Sequence, residues 1–245
     1  MKPKIIKINA LMALALFACV PAVSATMVIP IDEDVMTSGF FMGSNRVRGY
    51  AGDARPVFRV SNTGAFGVAG AETIYLTIDP TDLNGIAGPV NAVLTVESTA
   101  GGFGFDASAG SPFVVSAHAV NADPLASIID DTNPGGTIVW TDFLDNNIID
   151  ADPIALTTIS GFGTVTFDVS SIVNDWIDGT NTIFAIALTG KNDNSGTDFL
   201  HGFLNNSEAP GSSFLTVSAV PVPAAIWMLA PALAMLTRRK CARRV

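Results

Sequence analysis

The stretch TVTFDVSSIVNDWIDG, residues 164–179, decides the fold because it contains two different hydrophobic periods. From Val165 to Val169, apolar and polar residues alternate, which is typical of a strand with one buried face. The apolar residues that follow recur at the three- and four-residue spacing of a helix, and Gly179 ends the pattern. We predict a strand followed by one short helix that buries Trp176.

Period two also dominates the rest of the chain between its two termini. Further alternating or β-branched runs occur at residues 57–60, 74–78, 92–96, 113–120, 137–143, 184–188 and 214–217. Turn clusters rich in Gly, Pro, Asn and Asp separate these runs. Many short strands with regular turns are typical of all-β proteins. We therefore predict an all-β fold, an antiparallel jelly-roll-like β-sandwich with one short helix.

The N-terminus has the features of a signal peptide. Three lysines among the first seven residues precede the apolar stretch 8–20, and Val23-Ser24-Ala25 fits the preference of signal peptidase for small residues. We predict that residues 1–25 are removed by signal peptidase, so that Thr26 becomes the mature N-terminus. The alternative is lipidation of Cys19, although its surroundings depart from a lipobox.

The C-terminus combines an apolar segment with a basic tail. Residues 220–237 contain no charged side chain, and five of the residues 238–245 are Lys or Arg. At 1.5 Å per residue, such a helix just reaches across the hydrocarbon core of a bilayer. Basic flanks stay in the cytoplasm. We predict a transmembrane helix over 220–237 with an exported domain before it and a cytoplasmic tail after it.

Charge is distributed very unevenly along the chain. Eight of the 13 Lys and Arg lie in the terminal segments, whereas all 22 Asp and Glu lie between Asp32 and Glu208. Residues 26–218 therefore hold five cations and 22 acids, a formal charge of −17 against −9 for the full chain. Such a surface disfavours nucleic acid as a partner. Both cysteines, Cys19 and Cys241, lie outside this region, so it contains no disulfide.

One resemblance concerns the exported region. Residues 167–179 and the closing strand 215–217 resemble the second half of the DNRLRE-type domain family. Asn91–Val96 is similar to a strand of the first half, and Trp140 would stand at the family's recurrent tryptophan. The resemblance implies a jelly-roll-like domain over residues 26–218. It also implies carbohydrate binding, because some members are regarded as modules for acidic polysaccharides.

A second resemblance concerns the tail. Val220-Pro221-Val222-Pro223-Ala224-Ala225, with the apolar segment and the basic tail behind it, is similar to the PEP-CTERM sorting signal in its VPLPA form. The resemblance implies a sorting signal over 219–245 that is processed by an exosortase-type membrane enzyme of Gram-negative bacteria. The two prolines favour an extended backbone, which a protease can bind. The alternative is a simple membrane anchor.

Residues 26–218 contain no recognisable catalytic motif. GxSxG, HExxH and phosphate-binding glycine loops are all missing from the sequence. His118 lies in an apolar run that is typical of a core or edge strand, and His201 precedes Gly202 near an expected loop. A carboxylate pair for glycoside hydrolysis stays an alternative, but nothing in the sequence selects one pair. We predict a protein that is not an enzyme.

Acidic residues crowd one segment, where the candidate ligands of a structural Ca²⁺ are Asp142, Asp145, Asp150 and Asp152. Ca²⁺ binds about six to eight oxygen atoms, often from flexible loops. The segment lacks the spacing of an EF-hand. The alternative is that Asp is frequent here because it tolerates turn geometry.

Four of the five cations in the exported region fall within residues 46–59. If Asn45–Tyr50 forms a strand, Arg46, Arg48 and Tyr50 share one face. Two guanidinium groups beside an aromatic ring suit an acidic exopolysaccharide through bidentate contacts and stacking. The alternative is that these arginines neutralise nearby aspartates.

Together these features predict an exported, non-catalytic envelope or extracellular-matrix protein of the biofilm type, with a polysaccharide-binding domain. Two alternatives stay open. One is a structural matrix or adhesion protein without glycan binding, and the other is an enzyme that acts on glycan.

Overall fold

The period-two pattern of the sequence forms antiparallel sheets in the computed structural model of the chain. The structure describes residues 26–41, 44–48, 57–62, 72–122, 149–190, 198–206 and 209–220. These residues form twelve strands in two sheets and one α-helix. The all-β prediction with a single short helix is therefore confirmed for the described part of the chain.

The first sheet is organised around one long strand. Its described strands are β1 (Thr26–Pro30), β4 (Val57–Ser61), β6 (Val90–Thr99), β9 (Gly163–Asp168), β11 (Leu200–Leu204) and β12 (Ser213–Ala219). The order is β1-β12-β6-β11-β4, and β9 pairs with β6. Strands β12 and β11 follow each other along one edge of β6, and β9 occupies the other edge.

The second sheet contains the other described strands. They are β2 (Asp34–Phe41), β3 (Ser44–Arg48), β5 (Thr73–Thr77), β7 (Phe113–Val120), β8 (Ile149–Ile159) and β10 (Ala185–Gly190). Their order is β3-β2-β5-β10-β7-β8, and each pair is antiparallel. The register of β7 and β8 shifts on both sides of His118, which lies opposite Pro153.

The core takes side chains from both sheets. Ala92, Leu94 and Val96 of β6 are buried, and they share one hydrophobic cluster with residues of the second sheet such as Val115 and Ile186. Burial of apolar area at about 25 cal/mol per Å² is the main force that stabilises such a cluster. Strict alternation in β6 leaves the intervening residues on the opposite face of the first sheet.

The predicted helix is confirmed as α1, Ser170–Asp178. Gly179 ends it in the left-handed conformation at φ 79°, which glycine adopts without steric cost. Trp176 is buried as predicted, and its indole Nε1 donates to the carbonyl oxygen of Ile183 at 2.8 Å. Asn174 exchanges two hydrogen bonds with the backbone of Val90, at 2.9 and 3.0 Å. These contacts attach the helix to the start of β6.

Four strands lie where the sequence pattern predicted none: β1, β2, β8 and β11. His201, which was predicted near a loop, is the second residue of β11 and follows the coil residues 198–199. Strand β11 reads LHGFL, and its histidine and glycine conceal the alternation. Strand β8 contains Pro153, which is tolerated because β8 lies at the edge of its sheet.

Several predicted segments fall outside the described residues. They are the signal peptide over 1–25, the possible strand at 137–143 with Trp140, and the tail beyond Val220. Within the described part of the chain, no helix is long and apolar enough to cross a bilayer.

Candidate functional site

A groove of about 450 Å³ lies on the face of the first sheet opposite the core. We call it the outer groove. Strands β6, β9, β11 and β12 and the turn 209–212 supply its lining residues, which are Thr95, Glu97, Thr164, Leu204, Ala209, Pro210, Gly211, Ser212 and Phe214. Its volume lies in the range of small-molecule sites.

The floor of the outer groove follows from alternation along β6. Since Leu94 and Val96 enter the core, Thr95 and Glu97 project to the other side of the sheet. Thr95 lies opposite Phe214 of β12, and Glu97 lies opposite Thr164 of β9. The hydroxyl of Thr164 donates to Glu97 Oε2 at 3.1 Å. This bond restrains the carboxylate at the base of the groove.

Hydrogen bonds hold the turn 209–212, which forms one wall. The amide of Ala209 donates to the carbonyl of Asn205 at 2.8 Å, and the amide of Ser212 donates to the carbonyl of Ala209 at 3.0 Å. The amide of Gly211 donates to Asn206 Oδ1 at 2.9 Å. Gly211 has φ 85°, a conformation that a residue with a Cβ rarely adopts. The wall is therefore preorganised by its own backbone.

The outer groove combines three kinds of surface. Phe214, Leu204 and Pro210 supply apolar area, whereas Thr95, Thr164 and Ser212 supply hydroxyl groups. Glu97 is the single ionisable side chain among the lining residues that the structure describes. A ligand with apolar C–H faces and many hydroxyl groups fits this combination, because apolar area gives affinity and placed polar groups give orientation.

Asn206 connects the wall to a buried carboxyl group. Its backbone amide donates to Asp34 Oδ2 at 2.6 Å, and its side-chain amide donates to the carbonyl of Ile31 at 3.1 Å. Burial raises the pKa of Asp34 to about 6; the backbone hydrogen bonds oppose this effect, and the negative charge of Glu33 adds to it. The wall of the groove is thus fixed to the start of β2.

Neither histidine has the surroundings of a catalytic base. His201 is fully buried, and its Nδ1 accepts the backbone N–H of Ala107 at 3.2 Å, which assigns the ring proton to Nε2. Nε2 has no hydrogen-bond partner among the described residues, and the ring of Phe162 stacks on the imidazole at 5.7 Å. Burial lowers the pKa of His201, against the attraction of the Asp106 carboxylate 3.5 Å away. The imidazole is therefore neutral at pH 7.

His118 lies on β7, at the irregular pairing with the edge strand β8. Its Nδ1 lies 2.9 Å from the backbone oxygen of Asp150, a distance at which the ring N–H donates to the carbonyl. Burial lowers the pKa of His118 more than this bond and the nearby carboxylates raise it. The bond fixes the imidazole to the edge of its sheet.

Among the arginines of residues 46–59, Arg59 is the one whose side chain the structure describes. Arg59 is buried, and its guanidinium donates two hydrogen bonds to the Glu72 carboxylate at 2.7 and 3.0 Å. It also lies over the Phe103 ring at 5.0 Å. For Arg59, the alternative of charge neutralisation is the one that the structure shows.

The predicted glycan-binding residues lie away from the outer groove in sequence and sheet. Arg46 and Arg48 belong to β3, the edge strand of the second sheet, where they lie opposite Ser38 and Met36. Tyr50 is outside the described residues. Binding by these three residues stays a prediction.

The predicted calcium ligands are only partly described. Asp150 and Asp152 lie on strand β8 and not in a loop, and Asp150 Oδ1 accepts the amide of Asp152 at 3.1 Å. Asp142 and Asp145 are outside the described residues. Across the described ranges, no group of three or more His, Cys, Asp or Glu side chains is placed to bind a metal ion. Calcium binding also stays a prediction.

Sequence reasoning missed the outer groove entirely. Its described residues come from three separate parts of the sequence, which are β6, β9 and the segment from Leu204 to Phe214, and they form no recognisable motif. The available signal was the alternation itself, since Thr95, Glu97 and Thr164 are polar residues between apolar ones. Which of these outward residues meet depends on the strand order, and the sequence pattern does not give that order.

The chain shows no match to known protein families. No family model matches its sequence, and no curated protein matches it significantly.

Proposed function

We propose that this chain is an exported, non-catalytic protein of the cell envelope or extracellular matrix, and that it binds polysaccharide. Its domain over residues 26–218 is then a jelly-roll-like β-sandwich of the DNRLRE type. The outer groove is the binding site. A sugar chain lies across β6, with its C–H faces against Phe214 and its hydroxyl groups near Thr95 and Thr164.

The observation that carries this proposal is the composition of the outer groove. The outer groove lies on the face of a sheet opposite the core, where a polymeric ligand can reach it without entering the core. Threonine hydroxyls both donate and accept hydrogen bonds, as sugar hydroxyls do. The wall 209–212 is held by backbone hydrogen bonds, so little ordering is needed on binding.

The lining of the outer groove favours binding over hydrolysis. Glycoside hydrolysis commonly requires two carboxyl groups about 5 to 9.5 Å apart. Glu97 is the single carboxyl group among the described lining residues. The groove can therefore hold a sugar chain without the pair that this mechanism needs.

The terminal segments support the proposed location. A signal peptide over 1–25 would export the domain, and the tail 219–245 would hold the precursor in the membrane for an exosortase-type enzyme. Mass spectrometry of the mature protein tests this step. A chain that still ends with residues 238–245 after maturation would contradict processing.

One observation favours a second candidate, a structural or adhesion protein that binds other proteins. Phe103, Phe105 and Phe162 are 42%, 37% and 60% exposed. Exposed aromatic side chains are frequent at protein interfaces. Polysaccharide binding depends on Phe214, whereas binding of other proteins depends on these exposed phenylalanines.

Binding of the full-length chain, kept soluble in mild detergent, to a panel of immobilised polysaccharides tests the proposal. We expect saturable binding that Phe214→Ala weakens by at least about tenfold, because the apolar floor is lost. Phe162→Ala is the matched control, since Phe162 is exposed but does not line the groove. Each variant is first shown to keep the circular dichroism spectrum of the parent.

Other outcomes of this experiment decide against the outer groove. Equal binding by the parent and Phe214→Ala would exclude the groove as the site. Absence of binding to every polysaccharide, with and without Ca²⁺, would favour the adhesion candidate. A melting temperature that falls when a chelator is added would instead support a structural Ca²⁺.

A further inference from the structure

We infer that the outer groove selects uncharged polysaccharide and rejects polyuronates. This inference rests on the proposed function, and it names the substrate class of the same site. It differs from the acidic ligand that the arginines of residues 46–59 suggested. The preference follows from the positions of the cations and the carboxylates in the domain.

Among the described residues, no cation lines the outer groove, because the nine described lining residues include neither Lys nor Arg. A bound uronate chain would bring one carboxylate per sugar, and each would lose part of its hydration without gaining a charged partner. Such a carboxylate binds less favourably than an uncharged group, because its lost hydration is not compensated.

The described cations of the domain lie on strands that do not line the groove. Arg59 forms the buried ion pair with Glu72, and Arg46 and Arg48 lie on the edge strand of the second sheet. The long-range field adds to this local effect. A domain of formal charge −17 repels a polyanion before contact occurs.

The carboxylate of Glu97 disfavours a ligand that carries negative charge. Its carboxylate accepts the Thr164 hydroxyl and has further acceptor capacity for a ligand hydroxyl. A sugar hydroxyl can donate to the Glu97 carboxylate, whereas a ligand carboxylate at the same place is repelled by it. The described lining contains one charged group, Glu97, and three hydroxyl groups, from Thr95, Thr164 and Ser212. It therefore matches a neutral ligand better than a polycation.

The test compares polysaccharides that share one backbone and differ mainly in charge, with the full-length chain as the binding protein. One pair is methyl-esterified and de-esterified homogalacturonan, and the other is a glucan and its derivative oxidised to the carboxylate at C6. In each pair that shows binding, we expect the neutral member to bind at least about tenfold more tightly than the acidic member. Its affinity should change less than about twofold with added salt, because few ions are displaced.

Glu97→Gln sharpens the test. The amide oxygen can still accept the Thr164 hydroxyl, so folding is preserved while the charge is removed. We expect the preference for the neutral member to shrink several-fold in this variant, mainly through tighter binding of the acidic member. A preference that is unchanged by Glu97→Gln would contradict the role of this carboxylate.

The failure of this inference differs from the failure of the proposed function. Equal or tighter binding of the acidic member, lost in Phe214→Ala, would keep the site and overturn the neutral substrate class. Tighter binding of a polycation such as chitosan, lost in Phe214→Ala, would overturn it as well. Binding of neither member of either pair, and of nothing else in the panel, would overturn both.

Discussion

Two carboxylates are buried in the part of this acidic domain that the structure describes, and their surroundings differ. Glu72 receives two hydrogen bonds from the guanidinium of Arg59. Asp34 receives the backbone amide of Asn206, and the negative charge of Glu33 is near it. Glu72 thus has a buried cation as its partner, whereas Asp34 has a dipolar partner and burial raises its pKa. An acid with dipolar partners alone is expected to reduce stability at neutral pH.

The largest expected effect is the removal of one partner from the ion pair. Glu72→Gln leaves the buried guanidinium without its counter-charge, and we expect a loss of about 3 to 5 kcal/mol in the free energy of unfolding. Urea denaturation of the full-length chain measures it. Glu97→Gln is the control, because it makes the same chemical change at the surface of the outer groove.

A double variant tests whether the charge itself matters. Arg59→Met combined with Glu72→Leu replaces the ion pair with apolar side chains, and we expect most of the lost stability to return. A double variant as unstable as Glu72→Gln would show that shape and not charge compensation is what this site requires.

The next effect has the opposite sign. Asp34→Asn keeps an acceptor for the amide of Asn206 and removes a charge that burial disfavours. The raised pKa of about 6, against 3.8 for the ordinary group, corresponds to about 3 kcal/mol, so the variant should be more stable by up to that amount at pH 7. A variant that is less stable than the parent at pH 7 would contradict this assignment.

The pH dependence follows from the same shift. Since the folded pKa of Asp34 is raised, its cost is present above pH 6 and disappears as the pH falls from about 6 toward 3.8. His118 and His201 act in the other direction, because their lowered pKa values remove stability as the pH falls below 6.5. The stability difference between Asp34→Asn and the parent isolates Asp34, and it should shrink toward zero by about pH 4.

The smallest effect tests the geometry of the pair. Arg59→Lys keeps the positive charge but cannot donate two parallel hydrogen bonds to the Glu72 carboxylate. We expect a loss of about 1 to 2 kcal/mol, which lies between the parent and Glu72→Gln. A loss as large as that of Glu72→Gln would mean that ammonium does not reach the carboxylate at all.

Much of the fold could be predicted from the sequence. Alternation identified β5, β6 and β9, and the change of period located α1 with its terminal Gly179. The pattern was clear there because these strands bury one face and expose the other. It failed at β8, where an edge position tolerates Pro153 and exposed acids.

The outer groove could not be predicted in the same way. Thr95, Glu97 and Thr164 were each recognisable as outward residues of strands. Their proximity to Phe214 results from β6 pairing with β9 on one edge and β12 on the other. Such pairing depends on packing across the whole core, which local periodicity does not encode. The conspicuous arginines attracted the site prediction, although the structure commits Arg59 to an ion pair.

The pairing of β1 with β12 has a consequence for the order of assembly. Thr26 lies opposite Ser218 and Pro30 lies opposite Phe214, so the first described strand of the chain pairs with the last one. Since these two strands are far apart in sequence, their pairing closes a long loop of chain, and such contacts are slow to form. We therefore expect the closure of this sheet, and with it the completion of a groove that includes Phe214, to be a late step in folding.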